Sequence, residues 1–291
     1  MTTKHEAYYV PEQSAWPIVG AIGLFLIAFG AGNFVVQLDS EDTSGGYTLL
    51  AGIAVILFML TGWFRNIIRE SDLGLYSAQM DRSFRQGMSW FIFSEVMFFA
   101  VFFGALFYAR MISVPWLGGA SNNAMTHMVL WPDFQAMWPL TVTPDGTTTQ
   151  AMGWGGLPLI NTMILLTSSV TLHNAHVSLE RNKRNPLIAW LAVTVFLGCA
   201  FLLLQVQEYV HAYQGMGLTL ESGVYGNTFF LLTGFHGMHV TLGTVFLLVL
   251  LFRAANDHFT PERHFAFQAG SWYWHFVDVV WLCLFVLVYI L

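Results

Sequence analysis

The 291-residue chain is 56% hydrophobic and only 10% charged, whereas soluble globular proteins carry about 25% charged residues. This composition excludes an ordinary soluble domain and indicates a membrane protein. The formal net charge is −6 and the few cations are dispersed, so the chain has no basic patch with which to bind nucleic acid.

Seven apolar stretches are long enough to cross a bilayer, because about 20 helical residues span about 30 Å of hydrocarbon. We predict spans at about 16–38, 47–66, 86–111, 157–179, 186–212, 224–252 and 269–291. The fourth span is the least apolar, and its serine, threonine and histidine side chains favour a position inside the bundle. The sequence therefore predicts an all-α membrane protein with seven transmembrane helices.

Basic residues give the orientation of these spans, since Lys and Arg accumulate in cytoplasmic loops. With seven spans and a cytoplasmic N-terminus, ten of the eleven basic residues lie inside and only Arg110 lies outside. Without the fourth span, every later loop would lie on the opposite side of the membrane and the basic residues would no longer collect on one side. Their distribution therefore supports the weakly apolar fourth span. We expect the C-terminus on the outer, periplasmic side.

The longest connection runs over 113–155 on the outer side and is rich in Trp, Pro, Gly and Thr, with no helical periodicity. Loops of this length are usually functional or cover a partner. We divide the chain into 1–66, which holds an N-terminal segment and two spans, and 67–291, which holds five spans and this loop.

Ionisable side chains at bilayer depth are costly, so each is a candidate functional group. Glu95 lies in the third span and could relay a proton or, as a neutral acid, hydrogen-bond to another helix. Glu208 lies towards the outer end of the fifth span.

The predicted sixth and seventh spans each contain a pair of ionisable residues that includes histidine. His236 and His239 share a helix face, as metal ligands could, but the small residues around them favour a close helix contact with hydrogen bonds across it. His275 and Asp278 could form an internal hydrogen-bonded pair with a structural role. We expect no metal site in the chain.

Six arginines border the inner ends of spans, where they could bind anionic lipid headgroups or serve orientation alone. They are Arg65, Arg69, Arg82, Arg85, Arg181 and Arg184.

Ordered motifs extend over nearly the whole chain. They are Trp16-Pro17, Arg85-Gln86-Gly87-Met88, Ser94-Glu95-Val96-Met97-Phe98-Phe99, Pro158-Leu159-Ile160-Asn161-Thr162, Glu208-Tyr209, Tyr225-Gly226-Asn227-Thr228, Thr233-Gly234-Phe235-His236-Gly237-Met238-His239 and Trp272-Tyr273-Trp274-His275-Phe276-Val277-Asp278. Together they resemble subunit III of the haem-copper cytochrome c oxidases. Gln268 departs from the pattern, because many relatives have Glu there.

The resemblance implies a fold in which helices 1–2 and helices 3–7 flank a lipid-filled cleft, with structural phospholipids. It implies that haem a, haem a3 and copper lie in partner subunits and none in this chain. Subunit I would be the main contact, and cytochrome c would reach the complex through subunit II. Glu95 matches the family's reactive membrane carboxylate.

The resemblance also implies a role and a location. Subunit III stabilises the oxygen-reducing site of a proton-pumping oxidase and supports proton uptake, partly through bound phospholipid. The long outer loop points to a bacterial enzyme in the inner membrane. Seven spans favour the cytochrome c branch, and subunit III of a quinol oxidase is the alternative.

Two other protein classes have seven spans or membrane histidines. A retinal protein or receptor is disfavoured, because the only lysines, Lys4 and Lys183, do not lie within a span. A haem-bearing electron carrier would need His236 or His239 together with His173 or His275 as ligands.

Overall fold

The computed structural model describes residues 9–10, 13–38 and 42–291. In this part of the chain, nine α-helices follow one another and the only β-structure is two isolated bridges. The helices are α1 (Trp16–Val36), α2 (Ser44–Asp72), α3 (Ala78–Tyr108), α4 (Val114–Leu117), α5 (Ala124–Leu130), α6 (Leu157–Glu180), α7 (Arg184–Gly215), α8 (Val224–Ala255) and α9 (Phe265–Leu284). Short π-helical segments extend α3 over Ala109–Ser113 and α9 over Phe285–Ile290.

Six of these helical segments are long and apolar enough to cross a membrane: α1, α2, α3 continued through α4, α7, α8, and α9 with its π-helical extension. The prediction of an all-α chain with several membrane spans is confirmed. The predicted fourth span corresponds to α6, a helix of 24 residues. It is not among the six, because its serine and threonine side chains lower its hydropathy.

The predicted outer loop at 113–155 is more ordered than its sequence indicates. Helix α4 continues α3 through the π-helical segment, and α5 is a separate helix of 7 residues. An isolated bridge joins Val142 to Thr148. A helix of two turns is too short to show a periodic apolar face, which is why the sequence did not reveal α5.

The chain divides into two compact units, of which the first ends at Phe84 and the second comprises Arg85–Leu291. In the first unit, α1 and α2 pack through glycines. A Cβ atom at Gly30 would overlap the backbone of Leu49, and one at Gly52 would lie 2.6 Å from the backbone nitrogen of Ile27. Small residues at such crossings let two helix backbones approach closely in a membrane.

The second unit has its core around α6 and α9. Trp274 and Trp281 of α9 are fully buried, and their indole N–H groups donate hydrogen bonds to Ser168 Oγ at 2.8 Å and Thr162 Oγ1 at 3.0 Å on α6. The Thr171 hydroxyl of α6 also bonds to Thr194 of α7 at 2.8 Å. The polar face of α6 therefore packs inside this unit, whereas Ile160, Met163 and Val170 on its opposite face are exposed.

Gly30 and Gly32 of α1 form a matched pair for testing this packing. We expect Gly30→Ala to destabilise the chain by about 1–3 kcal/mol, the usual cost of overfilling a packed contact. Gly32→Ala is the control, because a Cβ atom there meets nothing within 4 Å. Denaturant unfolding of the full chain in detergent micelles measures both, and equal stabilities would contradict the glycine contact.

Candidate functional site

Glu95 of α3 and His239 of α8 form a polar contact between two helices. The Glu95 Oε2 atom lies 3.0 Å from His239 Nε2, and the side chains are 20% and 7% exposed, respectively. Neither residue has another charged partner in an ion pair within the described part of the chain. The carboxylate that the sequence singles out is therefore bonded to one of the two histidines of α8.

The second ring nitrogen of His239 determines how many protons this contact holds. His239 Nδ1 lies 2.6 Å from the carbonyl oxygen of Phe235, so Nδ1 must carry a proton and donate it. The contact between Nε2 and Oε2 then needs one further proton. Either the neutral acid of Glu95 donates to the imidazole, or an imidazolium donates to the carboxylate.

Aromatic rings enclose the contact. The ring of Phe99 lies 5.0 Å from the His239 ring and that of Phe98 lies 5.7 Å from it, measured between centroids. The Tyr273 hydroxyl donates to the backbone carbonyl of His239 at 3.4 Å. Surrounded by these rings, the hydrogen bond is stronger than it would be in water. The arrangement joins α3 to α8.

His236 has different partners from His239, although the sequence places the two on one helix face. Its Nε2 donates to the carbonyl oxygen of Val277 on α9 at 3.2 Å, and its ring packs against Trp281 with centroids 5.1 Å apart. His236 is 1% exposed. It thus joins α8 to α9, while His239 joins α8 to α3.

His275 and Asp278 do not bond to each other directly, which corrects the predicted pair. The Ser169 hydroxyl of α6 stands between them: His275 Nδ1 donates to Ser169 Oγ at 2.9 Å, and the serine hydroxyl donates to Asp278 Oδ2. Residues three apart on one helix share a face, but both side chains here turn to a neighbouring helix that offers a hydroxyl.

Glu208 of α7 is 1% exposed, and its Oε1 accepts a hydrogen bond of 2.7 Å from the hydroxyl of Tyr289. It borders a cavity of about 380 Å³ that Met152, Leu157 and His211 also line.

The six arginines differ in their surroundings. Arg184 forms an ion pair with Asp257 and donates to the carbonyl of Ala255 at 2.5 Å. Arg85 donates to Gln268 Oε1 at 2.5 Å and lies 5.1 Å from the ring centre of Phe265. The remaining four are exposed: Arg65 and Arg69 in the last third of α2, Arg82 near the start of α3, and Arg181 just after α6.

One cluster was not anticipated from the sequence, which predicted no metal site. His176 and Glu180 of α6 and His264 at the start of α9 place one potential ligand atom each within 4.8 Å of the others. Only the spacing of His176 and Glu180, one helical turn apart, is visible in the sequence. The third member comes from a distant segment that packing brings alongside.

Comparisons with known proteins give consistent results. The family model described as cytochrome c oxidase subunit III matches residues 5–291. A protein named cytochrome c oxidase subunit 3 from Papio hamadryas is 39% identical over 290 residues, covering 99% of this chain and 98% of the relative. The protein of the same name from Tragelaphus oryx is 38% identical over 292 residues, with the same coverage.

Replacement of Glu95 tests the contact with His239. We expect Glu95→Gln to keep most of the stability, because the amide can donate to Nε2. Glu95→Ala leaves a buried ring nitrogen without a partner and should cost about 1–3 kcal/mol. Unfolding in detergent measures both variants, with the exposed Glu221→Ala as control. Equal losses for Gln and Ala would contradict a structural hydrogen bond.

Ser169→Ala tests the serine bridge. Loss of the hydroxyl removes a partner from both His275 and Asp278, so we expect a loss of about 1–3 kcal/mol. Thr167→Ala is the matched control on the same helix, because its exposed hydroxyl bonds only to the Met163 carbonyl of its own helix. The same unfolding assay compares the two variants. A Ser169→Ala variant that is as stable as the Thr167→Ala control would contradict the serine bridge.

Proposed function

Because this chain belongs to the cytochrome c oxidase subunit III family, we propose that it is the non-catalytic subunit III of a proton-pumping cytochrome c oxidase. Family membership makes it part of an oxidase complex. In our proposal the chain stabilises the oxygen-reducing site of subunit I and supports proton uptake. Haem a, haem a3 and copper lie in the partner subunits.

The observation that carries this proposal is the bonding of the intramembrane ionisable groups. Glu95 bonds to His239, His236 to a backbone carbonyl, and His275 and Asp278 to Ser169. Each contact joins two different helices of the second unit. Groups used in this way hold a bundle together, as expected of an accessory subunit.

We further propose that α6 is the seventh span. Its 24 residues have a length of about 36 Å at 1.5 Å per residue, enough to cross the hydrocarbon core. Its Thr162, Ser168 and Thr171 side chains bond to α9 and α7 and so need no water. Seven spans place the two termini on opposite sides of the membrane, and the distribution of basic residues then favours a cytoplasmic N-terminus and a periplasmic C-terminus. The long segment at 113–155 is what favours a bacterial inner membrane.

The exposed surface supports contacts with partner subunits and lipid. Trp90, Phe93, Met97 and Val101 form a continuous exposed apolar face on α3, since residues three and four apart lie on one side of a helix. Such a face suits contact with subunit I or with acyl chains. The exposed Arg65, Arg69, Arg82 and Arg181 are suited to bind phospholipid headgroups. The predicted lipid-filled cleft stays a prediction.

The lifetime of the oxidase during turnover tests this role. We expect oxidase purified from a strain lacking the chain to reduce oxygen at first, but to fail after fewer turnovers than the complete complex. Adding the purified chain back should restore the lifetime, which controls for damage during preparation. An unchanged number of turnovers without the chain would overturn the stabilising role.

A further inference from the structure

His176, Glu180 and His264 lie together where α6 ends and α9 begins. His176 Nε2 is 3.8 Å from Glu180 Oε1, and the two imidazole rings are 5.6 Å apart between centroids. All three ligand atoms lie within 4.8 Å of one another. None of the contacts that bind the helices together at bilayer depth uses these side chains.

A chain of hydrogen bonds fixes the tautomer of His264. Arg85 donates to Gln268 Oε1, so the amide nitrogen of Gln268 points the other way and donates to His264 Nε2 at 3.2 Å. His264 Nδ1 donates to the carbonyl oxygen of Thr260 at 3.2 Å. The lone pair of His264 therefore lies on Nε2. Metal-binding histidines typically donate their other ring N–H to a carbonyl in this way.

His176 contributes a ring nitrogen that has no hydrogen-bond partner in the described structure. Its Nε2 atom is buried and makes no hydrogen bond in the described structure, and its ring packs against Phe267 with centroids 5.6 Å apart. A buried polar atom without a partner is costly, and an unplaced ion is one of the explanations for such an atom. Glu180 is 56% exposed.

We propose that His176 Nε2, Glu180 and His264 Nε2 bind a divalent transition-metal ion of the zinc type, with water in the fourth position. Two imidazoles and a carboxylate are a donor set that suits Zn²⁺, whereas Mg²⁺ and Ca²⁺ prefer oxygen ligands. With metal–ligand distances of about 2.0–2.2 Å, tetrahedral ligand atoms lie about 3.4 Å apart. Binding therefore requires the three ligand atoms, which lie within 4.8 Å of one another, to close to that spacing, and the ion to replace the Gln268 amide on His264 Nε2.

The site is independent of the role in the oxidase, because it uses none of the residues on which the proposed function rests. It lies at the end of the helices, where an ion can enter from water.

Titration of the full-length chain in detergent micelles with ZnCl₂ tests the site. The chain carries a purification tag without histidine. We expect one Zn²⁺ per chain, and affinity at least about 100-fold weaker in His176→Gln and in His264→Gln, since even changes next to a metal ligand cost 10–100-fold. His211→Gln is the matched control, because this exposed histidine lies on α7 outside the cluster. Binding that is absent, or unchanged in both cluster variants, would overturn the proposal.

A change of ligand identifies the residue even if the glutamine variants fold poorly. X-ray absorption at the zinc edge should show two imidazole ligands in the unaltered chain. His264→Cys should replace one of them by sulfur at about 2.3 Å. A zinc spectrum without the sulfur distance would place the ion elsewhere and overturn the assignment.

Discussion

A polar side chain inside the hydrocarbon core has no water to bond to, so it must find a partner within the protein. In the second unit, α6 supplies several of these partners: Thr162 and Ser168 accept the indole N–H groups of α9, and Thr171 bonds to α7. The least apolar of the long helices is therefore bonded through its polar face to two neighbouring helices, α7 and α9. The fully buried Asn161 is an exception, since its amide makes no hydrogen bond in the described structure.

The same constraint governs the ionisable groups. Burying an unpaired charge is far more costly than burying a hydroxyl. The contact between Glu95 and His239 avoids this cost, because the carboxyl group on α3 and the imidazole on α8 share one proton in a hydrogen bond. His236 bonds to a backbone carbonyl and Ser169 bridges His275 to Asp278. Each of these groups has at least one hydrogen bond to a neighbouring helix, while His236 Nδ1 and Asp278 Oδ1 are buried without one in the described structure. Bonds of this kind agree with the proposed accessory role.

Hydropathy was enough to predict an all-α membrane chain, and the polar residues of the weakly apolar fourth span marked the face of α6 that packs against α7 and α9. They did not predict which residues pair. Glu95 and His239 are 144 positions apart, and their contact depends on how α3 and α8 rotate about their own axes. The direct pair of His275 and Asp278 was wrong because the spacing along one helix says nothing about a hydroxyl on another. The cluster with His264 was missed for the same reason.

Visible spectra of the affinity-purified chain, recorded before and after its partners are stripped away, test most directly whether it is an accessory subunit. We expect absorption of haem a in the complex isolated in mild detergent, and we expect that absorption to leave with the partners. Haem absorption that stays with the isolated chain would make its buried histidines ligands, and would contradict the structural role given to His236, His239 and His275.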